Sequence, residues 1–205
     1  MNALAESVKA AWSLWMERLG FCPRHSFGLD QLDTSLANHL QYHGGFFVEA
    51  GANDGLSQSN TAYFERYLGW RGLLIEPIPE LAERCKRNRP RAMVEQCALV
   101  ARDFPNPTVE MQYCNLMSLV RGARGSFEAD AAQLTAGRQY LRLDESPYIV
   151  NVQARTLTSV LEAYDIRHID LLSLDVEGLR HPPLATGQAC AAKLACRTRS
   201  STIAS

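Results

Sequence analysis

The sequence lacks the features that mark several large classes of protein. Its six cysteines form no C-x-x-C pair, and the most closely spaced histidines, His39 and His43, have no third ligand nearby, so no metal site is predicted. The sequence contains no long uninterrupted apolar run, so no membrane span is predicted either. The formal net charge is −1 and the arginines are scattered, so no nucleic-acid-binding surface is predicted.

The N-terminal region also lacks the apolar core of a secretory signal, because Glu6, Lys9 and Glu17 interrupt it. Together with the cysteine spacing, this predicts a cytoplasmic protein with reduced thiols. Apolar residues at spacings of three and four instead predict an amphipathic helix within an N-terminal helical segment, residues 1–43. That helix is a candidate contact with the core of the protein or with a partner chain in an oligomer.

The most informative segment runs from residue 46 to Glu76 and contains one βαβ unit. An apolar strand leads into a turn with Gly51 and Gly55, and after a helix a second apolar strand, residues 72–75, ends on Glu76. Glycines at such a turn let backbone N–H groups approach a ligand closely. Glu76, 21 positions beyond Gly55, is placed to accept hydrogen bonds from a ribose diol. The unit therefore predicts a site for an adenosine-containing cofactor.

The residues of the turn distinguish between possible cofactors. A dinucleotide fingerprint, G-x-G-x-x-G, makes room for a pyrophosphate, and a nucleotide-dependent oxidoreductase is disfavoured because the third glycine is missing here. This chain has G-A-N-D-G, with Glu49 two residues before the first glycine and with Asn53 and Asp54 inside the turn. Carboxylates at this place disfavour a pyrophosphate and suit a cation, such as the sulfonium of S-adenosylmethionine. The alternative is a purely structural turn with solvated acids.

Helices and strands continue to alternate after this unit, which predicts an α/β fold with a mostly parallel sheet. Residues 29–42, before the unit, and residues 80–88, after it, are predicted to form helices. Residues 92–100 are predicted to form one strand, whose Cys97 and Ala98 lie beside the switch point where open α/β sheets bind ligands.

The alternation then breaks and later resumes. Residues 102–155 are predicted to be an insertion, with an antiparallel strand pair (109–114 and 148–154) around a polar segment that is either a substrate lid or a solvated loop. A helix and a strand, residues 169–174, restore the parallel order, and two acids follow that strand. Because parallel strands end at the same edge of a sheet, these acids are expected beside the glycine turn.

In this order the motifs resemble those of the FkbM-type methyltransferases, a family of S-adenosylmethionine-dependent enzymes. The matching pieces cover roughly residues 26–178 and include FFVEAGANDG, SNTAYFERYLGWRGLLIEP, NLMSL and IDLLSLDVEG. The resemblance implies a Rossmann-like methyltransferase fold with helices on both faces of the sheet. It also implies methylation of a hydroxyl group, most often on a sugar or natural product, so the implied partner is a small-molecule or glycan acceptor.

The resemblance further implies roles for single residues. Glu49, Gly51, Asn53, Asp54 and Gly55 would hold the methionine part of the cofactor, Glu76 the ribose, and Cys97 and Ala98 the adenine. Asp175 and Glu177 would lie near the transferred methyl group, where a carboxylate can take the proton of a hydroxyl acceptor. Asp175 is the first candidate for this general base and Glu177 the second. In the alternative, both acids only bind the cofactor or cap a turn.

The C-terminal residues depart from the family pattern. Residues 179–205 contain no acid and no aromatic residue, and the formal charge changes from −5 over residues 1–178 to +4 in this tail. We hypothesise a frameshift, an alternative reading frame or a misplaced gene end after Gly178. This predicts a methyltransferase domain at residues 44–178, truncated after its fourth parallel strand, and a disordered tail. Its exposed sheet edge would be a second candidate contact for oligomers. The alternative function is a truncated, inactive protein that binds cofactor or partners.

Overall fold

The computed structural model describes residues 16–17, 24–113, 119–120 and 146–175 of the chain. In these residues the helices are α1 (Leu32–Ala37), α2 (Ala62–Leu68), α3 (Pro79–Asn88) and α4 (Leu157–Ala163), and a 3-10 turn at Leu29–Gln31 precedes α1. The strands are β1 (Phe46–Ala50), β2 (Arg71–Ile75), β3 (Met93–Glu95), β4 (Ala98–Leu99), β5 (Thr108–Tyr113), β6 (Leu119–Val120), β7 (Tyr148–Arg155) and β8 (Leu171–Leu174).

Within the described residues the first sheet has four strands, all parallel, in the order β3-β2-β1-β8. The chain moves outward from β1 through β2 to β3 and later returns to the opposite side of β1 to form β8. The direction of this winding therefore reverses between β1 and β8. In open α/β sheets, ligands bind at the carboxyl ends of the strands on either side of such a switch point.

Helices cover both faces of this sheet. On one face Phe47 of β1 belongs to a buried cluster with Phe64 of α2 and Cys85 of α3. On the other face Val48 belongs to a cluster with Val160 of α4. Successive side chains of a strand point to opposite faces, so a strand covered on both sides is apolar at nearly every position. The predicted fold class, a mostly parallel α/β sheet with helices on both faces, is confirmed.

The second sheet has the order β4-β7-β5-β6. Its central strands, β5 and β7, pair in antiparallel register along all six residues of β5, which confirms the pairing predicted within the insertion. Apolar side chains of this pair form a buried cluster with Ile78 and Leu81 at the start of α3. Because Cys85 near the other end of α3 packs on the first sheet, α3 contacts both sheets.

The prediction of a single strand over residues 92–100 is wrong. Two short strands occupy this stretch, and they belong to different sheets: β3 pairs with β2, whereas β4 pairs with β7. Between them Cys97 is buried in the cluster that contains Val160, while Ala98 already pairs with Ala154. Apolar residues flank Glu95 and Gln96 on both sides, so the stretch resembles one strand, and hydrophobic periodicity does not detect a change of sheet within it.

The helix predicted over residues 29–42 is shorter than expected. Asp30 and Gln31 have φ angles of 50° and 57°, which interrupt helical geometry before α1 begins at Leu32. The buried carboxylate of Asp33 accepts hydrogen bonds from the backbone amides of Phe27 at 2.7 Å and of Thr34 at 2.8 Å. The Asp33 side chain, at the second position of α1, therefore ties the start of the helix to the segment before it.

Several helix ends follow from the residues that occupy them. Gly69 follows α2 in the left-handed conformation, with φ of 67°, and Pro79 lies in the first turn of α3. Thr156 caps α4, because its hydroxyl accepts a hydrogen bond from the amide of Ser159 at 3.1 Å. In the part of the chain that the structure describes, each helix is too short or too polar to cross a bilayer.

Three predictions lie wholly or mostly outside the described residues. They concern the N-terminal amphipathic helix, of which only Met16 and Glu17 are described, the polar part of the insertion, and the tail over residues 179–205. The bounds of the domain, residues 44–178, likewise stay a prediction.

Candidate functional site

The glycine turn, residues 51–55, follows β1 directly and bends sharply. Gly51, Asn53 and Gly55 have positive φ angles of 79°, 51° and 83°, which glycine adopts without strain and asparagine tolerates better than most residues. A Cβ atom at position 51 would lie 1.9 Å from the carbonyl oxygen of Asp175, so only glycine fits there. The amide of Asp175 donates to the carbonyl of Ala50 at 2.9 Å. The turn and Asp175 therefore meet at the switch point, as the sequence predicts.

Glu76 lies at the carboxyl end of β2 and contacts the glycine turn. Its side chain is buried, and its Oε2 accepts a hydrogen bond from the amide of Asn53 at 2.8 Å. Its Oε1 accepts from the amide of Ile78 at 3.0 Å. Burial raises the pKa of Glu76 to about 7, although both amide donors favour the ionised form and act in the opposite direction. Each carboxylate oxygen keeps a second lone pair with which it can accept a hydrogen bond from a ligand hydroxyl.

Glu49 is also buried, but its partners differ from those of Glu76. Its Oε2 accepts hydrogen bonds from the hydroxyls of Ser59 at 2.8 Å and Thr61 at 2.6 Å, and its Oε1 accepts from the amide of Asn60 at 2.8 Å. These three donors belong to the segment that leads from the glycine turn into α2. Glu49 therefore fixes the path of that segment. The hydroxyl of Ser59 also accepts a hydrogen bond from the amide of Ala62, the first residue of α2.

Asn53 and Asp54 stabilise the turn through their own side chains. The Asn53 side-chain oxygen accepts from the amide of Asp54 at 2.7 Å. The Asp54 carboxylate accepts from the amides of Leu56 and Ser57 at 2.9 and 2.7 Å, the pattern of an Asx-turn. These bonds give both residues a structural role in addition to any contact with a ligand.

Cys97 and Ala98 lie where the chain passes from the first sheet to the second. The Cys97 thiol is fully buried, and burial raises its pKa to about 12, so it is neither ionised nor reactive near neutral pH. Ala98 is also buried. The amide of Glu76 donates to the carbonyl of Glu95 at 3.1 Å, so the strand that leads to Cys97 ends beside Glu76.

The acids predicted near the methyl group are only partly described. Asp175 is exposed and follows β8 directly, whereas Glu177 and Gly178 lie outside the described residues. No three of the described histidine, cysteine, aspartate and glutamate side chains converge on a point where a metal ion could bind.

Three side chains that the sequence did not point to reach the glycine turn from the end of α3. Cys85, Asn88 and Arg89 each donate a hydrogen bond to a carbonyl of the turn. No sequence signal marks them, because basic and amide residues are ordinary at the end of a helix and the distance in sequence exceeds 30 residues. Their role becomes visible only when α3 is placed against the turn.

The fold and the site together define a class of protein. A parallel sheet with its switch point beside β1, a glycine turn after β1 and a buried carboxylate after β2 are the features of a Rossmann-like methyltransferase fold. The family model for the methyltransferase FkbM domain matches residues 49–196. The chain therefore belongs to the FkbM methyltransferase family, and the match continues past Gly178 into the tail.

Solved structures with a local likeness include three proteins of low sequence identity. A TehB-like SAM-dependent methyltransferase from Corynebacterium glutamicum is 17% identical, with a TM-score of 0.27 over 45% of each chain. A SAM-dependent methyltransferase from Geobacter sulfurreducens, in complex with S-adenosyl-L-homocysteine, is 15% identical, with a TM-score of 0.30 over 44% of this chain and 39% of that one. YjhP from E. coli is 14% identical, with a TM-score of 0.29 over 43% and 39%.

The matched part thus spans less than half of each of these proteins. Among curated proteins, none matches this chain.

Proposed function

We propose that the protein is an S-adenosylmethionine-dependent methyltransferase that transfers a methyl group to a hydroxyl of a sugar or natural product. The observation that carries this proposal is the contact between Glu76 and the glycine turn, in which the two atoms Asn53 N and Glu76 Oε2 are 2.8 Å apart. It joins the two parts of the βαβ unit that an adenosine ligand needs, a carboxylate for its ribose and a tight turn for its other end.

The residues present fit the proposed cofactor. Glu76 has lone pairs available for the ribose diol, and its desolvated position strengthens any hydrogen bond that it accepts. Glu49, Asp54 and Asp175 add negative charge at the switch point, which suits a ligand that carries a sulfonium and an ammonium. Gly51 and Gly55 allow close approach to the methionine part, and Cys97 and Ala98 are proposed to flank the adenine at the end of β3.

In the proposed reaction the bound cofactor supplies an electrophilic methyl group on a sulfonium. The task of the protein is to align the acceptor oxygen with that methyl group, because an in-line displacement depends on orientation. We assign the removal of the hydroxyl proton to the carboxylate of Asp175, which lies at the switch point next to Gly51. Glu177 is the alternative base. The acceptor is proposed to be a small molecule or glycan, and the proposed location is cytoplasmic.

Isothermal titration calorimetry with S-adenosylhomocysteine tests the proposal. We expect micromolar binding by the unaltered protein and no binding of NAD in the same buffer. In Asp175→Asn we expect S-adenosylhomocysteine binding to be retained. We expect this variant to lose the transfer of a tritiated methyl group from S-adenosylmethionine to those glycosides, out of a test panel, that the unaltered protein methylates. No binding at millimolar S-adenosylhomocysteine would refute the cofactor assignment. Undiminished transfer by Asp175→Asn would remove Asp175 as the base.

A further inference from the structure

The end of helix α3 holds the glycine turn from the side of the protein core. Three consecutive carbonyls of the turn, those of Asn53, Asp54 and Gly55, each accept a hydrogen bond from a side chain of α3 or of the residue after it. The three bonds are Cys85 Sγ to Asn53 O at 2.9 Å, Asn88 Nδ2 to Asp54 O at 2.7 Å, and Arg89 Nη1 to Gly55 O at 2.8 Å. We call Cys85, Asn88 and Arg89 the α3 clamp.

Arg89 makes the largest number of contacts in the α3 clamp. Its side chain is 3% exposed, and its Nε pairs with the carboxylate of Glu65 at 2.6 Å. Besides Gly55, its two Nη atoms donate to the hydroxyls of Ser59 at 3.2 Å and Thr61 at 3.1 Å. A planar guanidinium directs its donors in fixed directions, so one residue sets the positions of several partners at once.

The hydroxyl groups of Ser59 and Thr61 connect Arg89 to Glu49 of β1. A guanidinium only donates hydrogen bonds, so the hydroxyl oxygens of Ser59 and Thr61 accept from Arg89. Their own hydrogens are then directed to the carboxylate of Glu49, which accepts from both hydroxyls. The end of α3 and the end of β1, which enclose the glycine turn, are thus connected through two hydroxyl groups.

The connection continues to the other side of the switch point. Asn60 donates its backbone amide to Glu49 at 2.8 Å and its side-chain amide to the hydroxyl of Ser173 at 3.0 Å. Ser173 is buried in β8, two residues before Asp175. The same segment that Arg89 holds therefore also bonds to the strand that carries the proposed base.

The buried Arg89–Glu65 pair is poor evidence for stability in itself. Removing two charges from water costs several kcal/mol, and apolar residues of similar volume often serve a core at least as well. Of the four hydrogen bonds that the Arg89 side chain donates, three go to the glycine turn and to the segment after it. This distribution is the one expected of a residue that fixes the geometry of a loop.

We propose that Arg89 is a positioning residue for cofactor binding, which holds the glycine turn in its binding conformation before the cofactor arrives. This proposal rests on the proposed function. The size of the expected effect follows from the population of the binding conformation. When only a fraction of the molecules has the turn in that conformation, the apparent dissociation constant of the cofactor equals the intrinsic constant divided by that fraction.

Three substitutions test the proposal by calorimetry with S-adenosylhomocysteine and by hydrogen–deuterium exchange. Arg89→Lys keeps a positive charge near Glu65 but loses the planar guanidinium that donates several hydrogen bonds at once. We therefore expect the affinity for S-adenosylhomocysteine to be about tenfold weaker and the amide exchange to be faster only in residues 51–61. Asn88→Ala removes only the exposed bond to Asp54, so we expect affinity about threefold weaker and a smaller change in the same peptides. Arg87→Lys is the matched control, because Arg87 is exposed on the same helix and should leave both quantities unchanged.

The results that overturn the proposal are distinct from a failure of the proposed function. Unchanged affinity and unchanged exchange in Arg89→Lys and Asn88→Ala overturn it. A uniform rise of exchange over the whole domain in Arg89→Lys, with Asn88→Ala equal to the control, also overturns it, since Arg89 then acts on stability alone. If the unaltered protein does not bind S-adenosylhomocysteine, the proposed function fails. In that case, faster exchange of Arg89→Lys confined to residues 51–61 still supports the role of Arg89 in positioning the turn. A uniform change of exchange over the domain, or no change, overturns that role.

Discussion

At the scale of single residues, burial and two backbone amides determine the state of the Glu76 carboxyl group, which we propose to bind the ribose. Burial favours its neutral form and raises its pKa to about 7, while the amides of Asn53 and Ile78 keep its oxygens in place. A sugar hydroxyl that donates to this group stabilises its charged form. Binding of a ribose should therefore lower the pKa of Glu76 and release a proton at slightly acidic pH.

The sign of the pH dependence follows from this shift. Below pH 7 part of the free protein has a neutral Glu76, which must ionise before it accepts from the diol, so affinity for S-adenosylhomocysteine should rise with pH and level off above about pH 7. Between pH 6 and pH 8 we expect a gain of up to about tenfold. The contribution of Glu76 to the stability of the folded protein should instead fall as pH rises. Because the folded pKa lies above the ordinary value of 4.5, the stability contributed by this group is complete below pH 4.5 and lost as pH rises toward 7.

Calorimetry across this pH range, in two buffers of different ionisation enthalpy, measures both the affinity and the proton release. The matched control is Glu83→Gln, which removes an exposed carboxylate of α3 that pairs with Lys86 and should retain the pH dependence. In Glu76→Gln the dependence should disappear. A slope that persists in Glu76→Gln would assign the titration to another group.

Some features of the candidate site could be predicted from the sequence, and others could not. The position of Glu76 follows from its 21-residue separation from Gly55 and from the apolar strand before it, so its place at the end of β2 could be predicted. The separate partners of Glu49 and the whole α3 clamp could not, because they depend on which backbone carbonyls face α3 after packing. Local patterns describe neighbours in sequence, and these contacts join residues that are distant in sequence.

At the scale of elements, the site depends on how closely β1 and β8 approach at their carboxyl ends. The two strands pair from Phe47 opposite Leu171 to Ala50 opposite Leu174. Just beyond the ladder, the missing side chain of Gly51 leaves room for the carbonyl of Asp175. The absence of a Cβ atom at this position therefore allows the two ends to remain in contact.

A pair of glycine substitutions separates this contact from backbone strain. Gly44 and Gly51 have similar φ angles, 74° and 79°, but a Cβ atom would meet nothing within 4 Å at Gly44 and a carbonyl oxygen at 1.9 Å at Gly51. We expect Gly44→Ala to lower the free energy of unfolding by about 1 kcal/mol, from strain alone. We expect Gly51→Ala to lower it by about 3 kcal/mol or more, because the strand ends must separate.

Urea denaturation of both variants measures the difference, and calorimetry should show weaker S-adenosylhomocysteine binding only in Gly51→Ala. Equal losses of stability in the two variants would mean that the strand ends yield easily, in contradiction to the close packing described above.

The type of each helix or strand was predicted better than the residues at which it begins and ends. Gly69 ends α2 and Pro79 begins α3, because such residues act through their own backbone geometry. Helix α1 was predicted too long because positive φ angles at Asp30 and Gln31 delay its start and because, past Ala37, only a turn with hydrogen bonds to Thr34 and Leu36 follows. The antiparallel pair β5 and β7 was predicted correctly from its alternation, but β6 was not expected.

At the scale of the whole molecule, α3 joins the two sheets. Leu81 near its start is 1% exposed and belongs to the cluster with β5 and β7, while Cys85 belongs to the cluster under the first sheet. The residues of the α3 clamp lie on the same helix. The position of the second sheet and the shape of the glycine turn are thus both tied to one rigid element.

Substitutions at two large aliphatic residues test the importance of this junction. Leu81→Ala should lower the free energy of unfolding by about 2–5 kcal/mol, because it leaves a cavity between α3 and the second sheet. Ile149→Ala, on the face of β7 where that side chain is 51% exposed, should cost at most about 1 kcal/mol. Urea denaturation followed by tryptophan fluorescence provides both values. A loss below 1 kcal/mol in Leu81→Ala would show that the two sheets are not packed through α3.

The overall topology could be predicted only in part. The parallel order of β1, β2 and β8 follows from the alternation of helices and strands, and the fold class was predicted on that basis. The passage of residues 93–99 from one sheet to the other could not be predicted, because apolar residues occur in both halves and the partner strand β7 lies more than 50 residues away.

The pairing of β1 with β8 has a consequence for how the protein is made. The amide of Phe46 bonds to the carboxylate of Asp170, a partner 124 positions later in the chain. A ribosome therefore releases the glycine turn and β2 long before it has synthesised the neighbouring wall of the crevice, and closing so large a loop is slow. Nascent chains must pass through a stage in which the turn is present but has nothing beside it. The proposed cofactor site would therefore be complete only after β8 has been synthesised and has paired with β1.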